Sequence, residues 1–405
     1  MEDDFKPMPK VNPDPIFKFM MMYRACESKE KVDMTAGVYK DETLKDYLLP
    51  SVRESMKGMS VEDIQRSFKP FDAVGDGELA SLIARLTLGD QHLGRAKNFF
   101  KVHCQSGGTG LFFGFELLKQ FYPEVKAIAL SEPTWPIHEE MVLAHGYEVK
   151  RYRYYDAEGR KFDQEGLKED LSKLGPDTAL LIQPCGHNPT GFDLSHEDWD
   201  VVIPLVRDRK FPLFFDMAYL GFATGDLVAE TYPLRRLVEE GLPWMLSCSL
   251  SKNFGIYSGR VGAFFGSARS HSEANEINCH LARLARSVVG APVRFAAEAI
   301  KSLLSSPDLH AKWTEDLASM IRRMKSVRSR LLCELQKTGS TRDWSFIAQQ
   351  NGMFAYTGLT PEQVLRCINE FNVYFIPSGR ISITGINEEN VALVAKAFHE
   401  VTKND

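Results

Sequence analysis

From about residue 95 onward, short apolar runs alternate with longer stretches whose apolar positions recur every three or four residues. The runs at 126–131, 178–183, 212–215 and 244–249 are apolar throughout and bounded by turn residues. Strands buried on both faces look like this, because neither face has room for solvated side chains. Between them, 111–121 and 198–208 carry helical periodicity. Strands alternating with helices predict an α/β fold, a mostly parallel sheet with helices on both faces.

After about residue 306 the pattern changes. Residues 309–335 read as one long amphipathic helix rich in Lys and Arg, followed by a shorter α+β segment. A chain of 405 residues is long for a single core, so two domains sharing a cleft are expected. The predicted division is an N-terminal arm at 1–11, a small α+β domain built from 12–42 and 320–405, and a large domain at 43–319.

Composition narrows the function classes. Hydrophobic residues make up 44% and charged residues 25%, and the net charge is −5. Neither a nucleic-acid partner nor a membrane surface is expected from this balance. The apolar cluster at 17–23 is far too short to span a bilayer. Seven cysteines, an odd number without a CxxC pair, argue for reduced thiols and against a disulfide framework or a zinc site. The acidic start Met1-Glu2-Asp3-Asp4 does not resemble a secretory or transit peptide, and a cytoplasmic location is expected.

In an open α/β sheet, ligands bind at the carboxyl ends of the strands. The chemically distinctive residues fall there. Ser106-Gly107-Gly108-Thr109-Gly110 opens the helix at 111, Asn188-Pro189-Thr190-Gly191 follows the run at 178–183, Asp216 follows Phe215, and Lys252 follows the run at 244–249. The glycine segment by itself admits three readings: a tight turn, a phosphate cradle at a helix N-terminus, or a dinucleotide site. Gly108, Gly110 and Gly114 only loosely match a dinucleotide fingerprint, since the third glycine comes one position late. Lys252 could be a strand-end lysine reaching solvent or a Schiff-base amine of lowered pKa. A carboxylate such as Asp216 directly after a buried strand is costly unless paired. Arg260, in Ser258-Gly259-Arg260-Val261-Gly262, could cap a phosphate with two donors.

These motifs resemble the aspartate aminotransferases of the fold-type I pyridoxal-phosphate-dependent transferases, and the resemblance runs from about residue 13 to 400. Its strongest segment is Ser249-x-Ser251-Lys252-Asn253-Phe254-Gly255-x-Tyr257-x-x-Arg260. It is joined by His187-Asn188-Pro189-Thr190-Gly191, Asp216-x-Ala218-Tyr219, Pro133-Thr134-Trp135-x-x-His138 and Ser378-Gly379-Arg380. The resemblance implies a large domain with a mostly parallel sheet flanked by helices and a smaller α+β domain. It implies that Lys252 carries pyridoxal 5'-phosphate and then acts as general base, with Asp216 at the ring nitrogen. Asn188 and Tyr219 would hydrogen-bond the ring oxygen, Trp135 would stack on the ring, and His138 and His187 would lie behind them. Gly108, Thr109, Ser249 and Arg260 would hold the phosphate. Arg380 would bind the substrate α-carboxylate, and Gly37 would line the substrate site together with Trp135 and Asn188.

Three positions depart from the family pattern. Gln183 stands where a histidine is frequent, Phe68-Lys69-Pro70-Phe71-Asp72 lacks the tyrosine that reaches a partner's phosphate, and Gly259 replaces a longer polar residue. By the resemblance the protein is a homodimer with shared active sites. Arg286, in a loop-like segment running to Pro292, would bind the side-chain carboxylate of aspartate in the neighbouring subunit. Arg283 lies one helical turn earlier. The activity implied is transamination between L-aspartate and 2-oxoglutarate, with amino acids and 2-oxo acids as the small-molecule partners. An aromatic or broad-specificity aminotransferase, an NAD-dependent dehydrogenase and an inactive pyridoxal-fold protein are the alternatives.

Overall fold

The computed structural model describes residues 14–60, 77–96, 98–290 and 292–404. The expected arm at 1–11, the start of the segment 12–42, and Phe68-Lys69-Pro70-Phe71-Asp72 lie outside them. The chain runs through β1 (Val32–Asp33), β2 (Phe99–Cys104), β3 (Ala127–Glu132), β4 (Glu148–Arg153), β5 (Tyr155–Asp156), β6 (Lys161–Phe162) and β7 (Thr178–Ile182). It continues through β8 (Leu213–Met217), β9 (Met245–Ser249), β10 (Gly262–Ser267), β11 (Phe354–Tyr356), β12 (Val373–Tyr374) and β13 (Arg380–Ser382).

Among the described residues, the central sheet has seven strands in the order β2-β10-β9-β8-β7-β3-β4. The four apolar runs appear as β3, β7, β8 and β9, paired in parallel. β10 alone runs antiparallel to its neighbours β2 and β9. Both faces of the sheet are buried, and side chains alternate between them. Leu213, Phe215 and Met217 of β8 enter one core, while Phe214 enters the other. This is why the runs are apolar at consecutive positions rather than at alternate ones. β8 extends beyond 215 to Met217, which places Asp216 inside the strand, opposite Ser247 of β9.

The helix expected at 111–121 begins earlier, at Gly107–Phe121. Ser106 caps it, its hydroxyl accepting from Thr109 N at 3.2 Å, so the glycines form the first turn rather than a preceding loop. Gly110 and Gly114 are set by packing. A Cβ on Gly110 would meet Ser247 Oγ at 2.5 Å, and one on Gly114 would meet the Phe214 ring at 2.1 Å. Close helix–sheet approach therefore accounts for the spacing that resembled a dinucleotide fingerprint.

The long helix spans Pro307–Lys337 without a break, so the boundary drawn between 319 and 320 falls within it. The N-terminal segment is stitched to the C-terminal one. β1 pairs with β12 in parallel, and Ser382 N donates to Met34 O at 2.9 Å. Arg286 is not in a loop. The helix His271–Val288 continues through it, because Ala274, Ile277, Leu281 and Ala285 extend a buried face and Val289 N closes the last turn on Ala285 O. No helix among the described residues is long and apolar enough to cross a membrane.

Candidate active site

The carboxyl ends of β3, β7, β8 and β9 converge on one cleft. Asp216 lies at its floor, 5% exposed. His138 Nε2 is 3.0 Å from Asp216 Oδ2, and Thr134 Oγ1 is 2.8 Å from the other ring nitrogen of His138. Among the described residues, Asp216 Oδ1 has no hydrogen-bond partner and is free to accept from a ligand. Trp135 sits edge-on to His138, ring centroids 5.3 Å apart, with its own ring partly exposed in the cleft.

Lys252 follows β9 in a run of turns. It is partly buried. Burial lowers its pKa to about 8; the Asp216 carboxylate opposes that shift and Arg260 adds to it. Its Nζ lies 5.0 Å above the centroid of the Tyr219 ring. Burial pushes the Tyr219 phenol well above its ordinary pKa, against the pull of Arg380, so its hydroxyl stays protonated.

An anion-holding corner lies at the start of the helix Gly107–Phe121. Ser249 approaches Gly107 so closely that a Cβ there would be 3.1 Å from Ser249 Cβ. Gly108 and Thr109 are the next residues of the first turn, where the helix dipole favours negative charge, although the Thr109 N–H is already taken by Ser106 Oγ. Arg260 has φ 53°, a left-handed conformation that costs a side-chain-bearing residue about 1–2 kcal/mol. Its Nη1 donates to Ser251 Oγ at 3.2 Å and to Tyr257 O at 3.1 Å, which leaves the rest of its guanidinium open.

At the other end of the cleft, Arg380 is buried at 2% exposure. Its Nη2 donates to Thr35 O at 2.6 Å, its Nη1 to Asn188 Oδ1 at 3.3 Å, and its Nε has no partner. The guanidinium lies 4.4 Å from the centroid of Phe354, whose ring also meets Tyr219 edge-on. Burial lowers Arg380 to about 10, and Tyr219 and Asp14 draw it back up. Gly37 borders this pocket, and a Cβ there would strike Phe354 Cζ at 2.8 Å.

The structure brings together Lys252, Asp216, Tyr219, His138, Trp135, Asn188, Arg380 and Gly37. His187 does not touch the cleft groups. It is buried between Ser131 and Thr190, stacked on Tyr154 at 3.9 Å, and burial lowers its pKa to about 3, so it is neutral. Arg286 is exposed on its helix. Gln183 takes on a backbone role, with Oε1 accepting from Asn188 N at 2.9 Å and Nε2 donating to Asn188 O at 3.2 Å. Both backbone groups of Asn188 are thereby satisfied by one side chain.

Sequence reasoning missed four contributors. Thr35 and Phe354 flank Arg380, Tyr257 Oη accepts from Tyr39 N at 2.7 Å beside Gly37, and Thr134 orients His138. Tyr257 and Thr134 lie inside the motifs quoted above, which was the available signal.

A profile of the family Aminotransferase class I and II matches residues 29–398. The mitochondrial aspartate aminotransferase of Xenopus tropicalis is 36% identical over 392 residues, 96% of this chain and 91% of its own. The aspartate aminotransferase from Saccharomyces cerevisiae cytoplasm superposes with a TM-score of 0.91 at 31% identity, covering 98% of both chains. An aromatic-amino-acid aminotransferase from Burkholderia pseudomallei, covalently bound to pyridoxal phosphate, gives 0.92 at 32% identity over 98% of this chain and 99% of that one. The fold is therefore that of the fold-type I pyridoxal-phosphate-dependent transferases. The chain belongs to the class I and II aminotransferases.

Proposed function

We propose that this enzyme transfers amino groups between L-aspartate and 2-oxoglutarate, giving oxaloacetate and L-glutamate, with pyridoxal 5'-phosphate as cofactor. The observation that carries the reading is a lysine of lowered pKa that feels the charge of a buried, histidine-held aspartate, together with a buried Arg380 bonded to Asn188 and left with an unpaired Nε. The residues fit the cofactor: Asp216 Oδ1 is available at the floor, and a glycine-started helix with Ser249 and Arg260 offers donors to a phosphate. When bound, pyridoxal phosphate supplies a carbonyl carbon that links to amines and a cationic ring that takes up the electron pair of the substrate Cα–H bond.

Each residue then has a defined task. Lys252, with a pKa of about 8, has enough free amine near neutrality to attack a carbonyl and to carry the Cα proton. Asp216 would face the ring nitrogen and favour its protonated form, and His138, pinned by Thr134, keeps Asp216 aimed. Tyr219 and Asn188 would offer hydrogen-bond donors to the ring oxygen, and Trp135 would lie against the ring. Gly108, Thr109, Ser249 and Arg260 would hold the phosphate. Arg380 grips the substrate α-carboxylate with its planar fork, beside Gly37.

The proposal extends to a homodimer in which Arg286 serves the neighbouring subunit and selects the dicarboxylate. Exposed Val288 and Val293 flank it, an apolar rim suited to a subunit boundary. It extends also to a small domain of 12–42 and 320–405, and to a cytoplasmic location, which the seven free cysteines support.

The test is the visible spectrum of cofactor-loaded protein. Aspartate should bleach the lysine-linked absorbance, and 2-oxoglutarate should restore it. A response to phenylalanine but not to aspartate transfers the chain to the aromatic reading. No response to any amino acid removes the assignment.

A further inference from the structure

Beneath the substrate end of the cleft lies a buried cation with no role so far. Arg328, on the helix Pro307–Lys337, is 5% exposed. Its Nη2 donates to the carbonyls of Gly352 at 3.0 Å and Phe354 at 2.8 Å, while its Nε has no hydrogen-bond partner. An apolar side chain would fill such a position at less cost than a guanidinium. What the guanidinium adds is a grip on two backbone oxygens.

Those oxygens belong to a segment that shapes the carboxylate pocket. The Phe354 ring lies 4.4 Å under Arg380 and edge-on to Tyr219 at 5.4 Å. The Phe354 carbonyl faces the turn that carries Asn188, so closely that a Cβ on Gly191 would be 2.8 Å from it. Asn351 N donates to Gly191 O at 2.6 Å. The segment 351–354 and the turn 187–191 are therefore one packed unit, with Arg328 fastened to its underside.

Asp193 fastens the same turn from its far end. Its Oδ1 accepts from His187 N at 2.9 Å, immediately before Asn188, and its Oδ2 is buried without a partner. Burial pushes its carboxyl up to about 7, with Glu230 adding to the rise and the Arg328 charge drawing it down. A cleft of about 250 Å³, lined by Arg328, Gln350, Asn351 and Gly352, runs alongside. Packing alone does not press the segment into place, which gives the polar anchors something to do.

We propose that Arg328 and Asp193 are positioning residues for the substrate α-carboxylate, holding Phe354 and Asn188 and, through the contacts these make, the guanidinium of Arg380. The inference rests on the aminotransferase reading above only in taking an amino acid as substrate. Neither residue touches the cofactor or the reacting atoms.

The test compares Arg328→Met, Arg328→Lys and Asp193→Ala with the parent protein, all cofactor-loaded. A misaimed arginine weakens carboxylate capture more than the later chemistry. KM for the amino acid should therefore rise about tenfold in Arg328→Met, with kcat changed less than about threefold. Maleate, an unreactive dicarboxylate, should lose affinity by a similar factor in calorimetry. Arg328→Lys keeps the charge and one donor and should recover part of both losses. Asp193→Ala should raise KM in the same direction. Unchanged KM and maleate affinity in a folded Arg328→Met protein would overturn the proposal. So would a parallel loss of kcat, KM and melting temperature that lysine does not relieve, which is the mark of a purely structural residue. The α-carboxylate is common to all amino acids, so the comparison is run on whichever one the parent turns over. Failure with aspartate alone strikes the function reading and leaves this one standing, while a parent active on no amino acid ends both.

Discussion

His138 and Asp216 are 78 residues apart in sequence, yet Nε2 of one stands 3.0 Å from Oδ2 of the other inside a closed part of the core. Thr134 at 2.8 Å occupies the remaining ring nitrogen. With Thr134 as donor to Nδ1, the imidazole carries its proton on Nε2 and donates it to the carboxylate. The aspartate is then restrained from one side and open on the other, as a partner for a ring nitrogen needs to be.

Asp216→Asn should retain cofactor and lose most activity. Without the anion, a ring nitrogen loses about two to three pKa units of support, about 3–4 kcal/mol or roughly 100- to 1,000-fold in kcat. His138→Ala should lose less, about 10- to 100-fold, since it removes one charge-assisted hydrogen bond of roughly 1.5–3 kcal/mol. Steady-state kinetics on both proteins checks the order. Near-parental turnover in Asp216→Asn would refute the role.

Cofactor capture by the apo protein should follow the free amine of Lys252. The folded pKa of about 8 lies below the usual lysine value, so the neutral, nucleophilic form accumulates as pH rises through 8 and is lost below it. The capture rate should rise with pH and level off just above 8. A rate still climbing at pH 10 would indicate an ordinary exposed lysine. Borohydride reduction followed by peptide mapping should place the label on Lys252 and on no other lysine.

Arg286 should matter in the neighbour's site. Arg286→Ala should cost aspartate about 2–5 kcal/mol of recognition, since a carboxylate is left desolvated and unpaired, while aromatic substrates suffer far less. Mixing Lys252→Ala and Arg286→Ala subunits creates one site with both residues intact if Arg286 acts across the boundary. Aspartate activity should reappear in verified heterodimers, and its absence would eliminate the shared site.

Gly114→Ala tests the packing argument for the glycine-started helix. The new methyl would lie 2.1 Å from Phe214 Cζ, so the ring or the helix must move. Overpacking of this kind costs about 1–3 kcal/mol, read as a lower urea midpoint with the spectrum of loaded protein retained. A stability equal to the parent's would show that the close approach is easily relaxed.

Binding of a dicarboxylate should bring 12–42 and 320–405 onto the large domain, because two arginines on different elements reach one small diacid only when the cleft narrows. Crystals grown with and without maleate would show the shift. Superimposable positions in both would argue against it.

Asp216 and Lys252 were legible because a charge at the end of a fully apolar run has no solvent to turn to, and such a residue is retained only with a partner. Their mutual placement followed from the rule that parallel strands deliver ligand groups at their carboxyl ends. β10 was not legible: Gly262 and Gly266 dilute its apolar signal, and only pairing with β2 and β9 makes it a strand. Arg286 seemed to sit in a loop because Gly290 and Pro292 follow it, whereas packing of Leu281 and Ala285 carries the helix past it. Arg328 shows the limit most plainly. It lies four residues after Met324 and three before Leu331, on the buried stripe of the helix. Periodicity could mark that position as inward-facing. The partners that make a buried guanidinium tolerable, the carbonyls of Gly352 and Phe354, are 24 and 26 residues away and meet it only once the chain has folded. Local pattern determines which residues must be buried, and the tertiary structure decides which of the buried polar ones find each other, because hydrogen bonds depend on distances in space that periodicity does not encode.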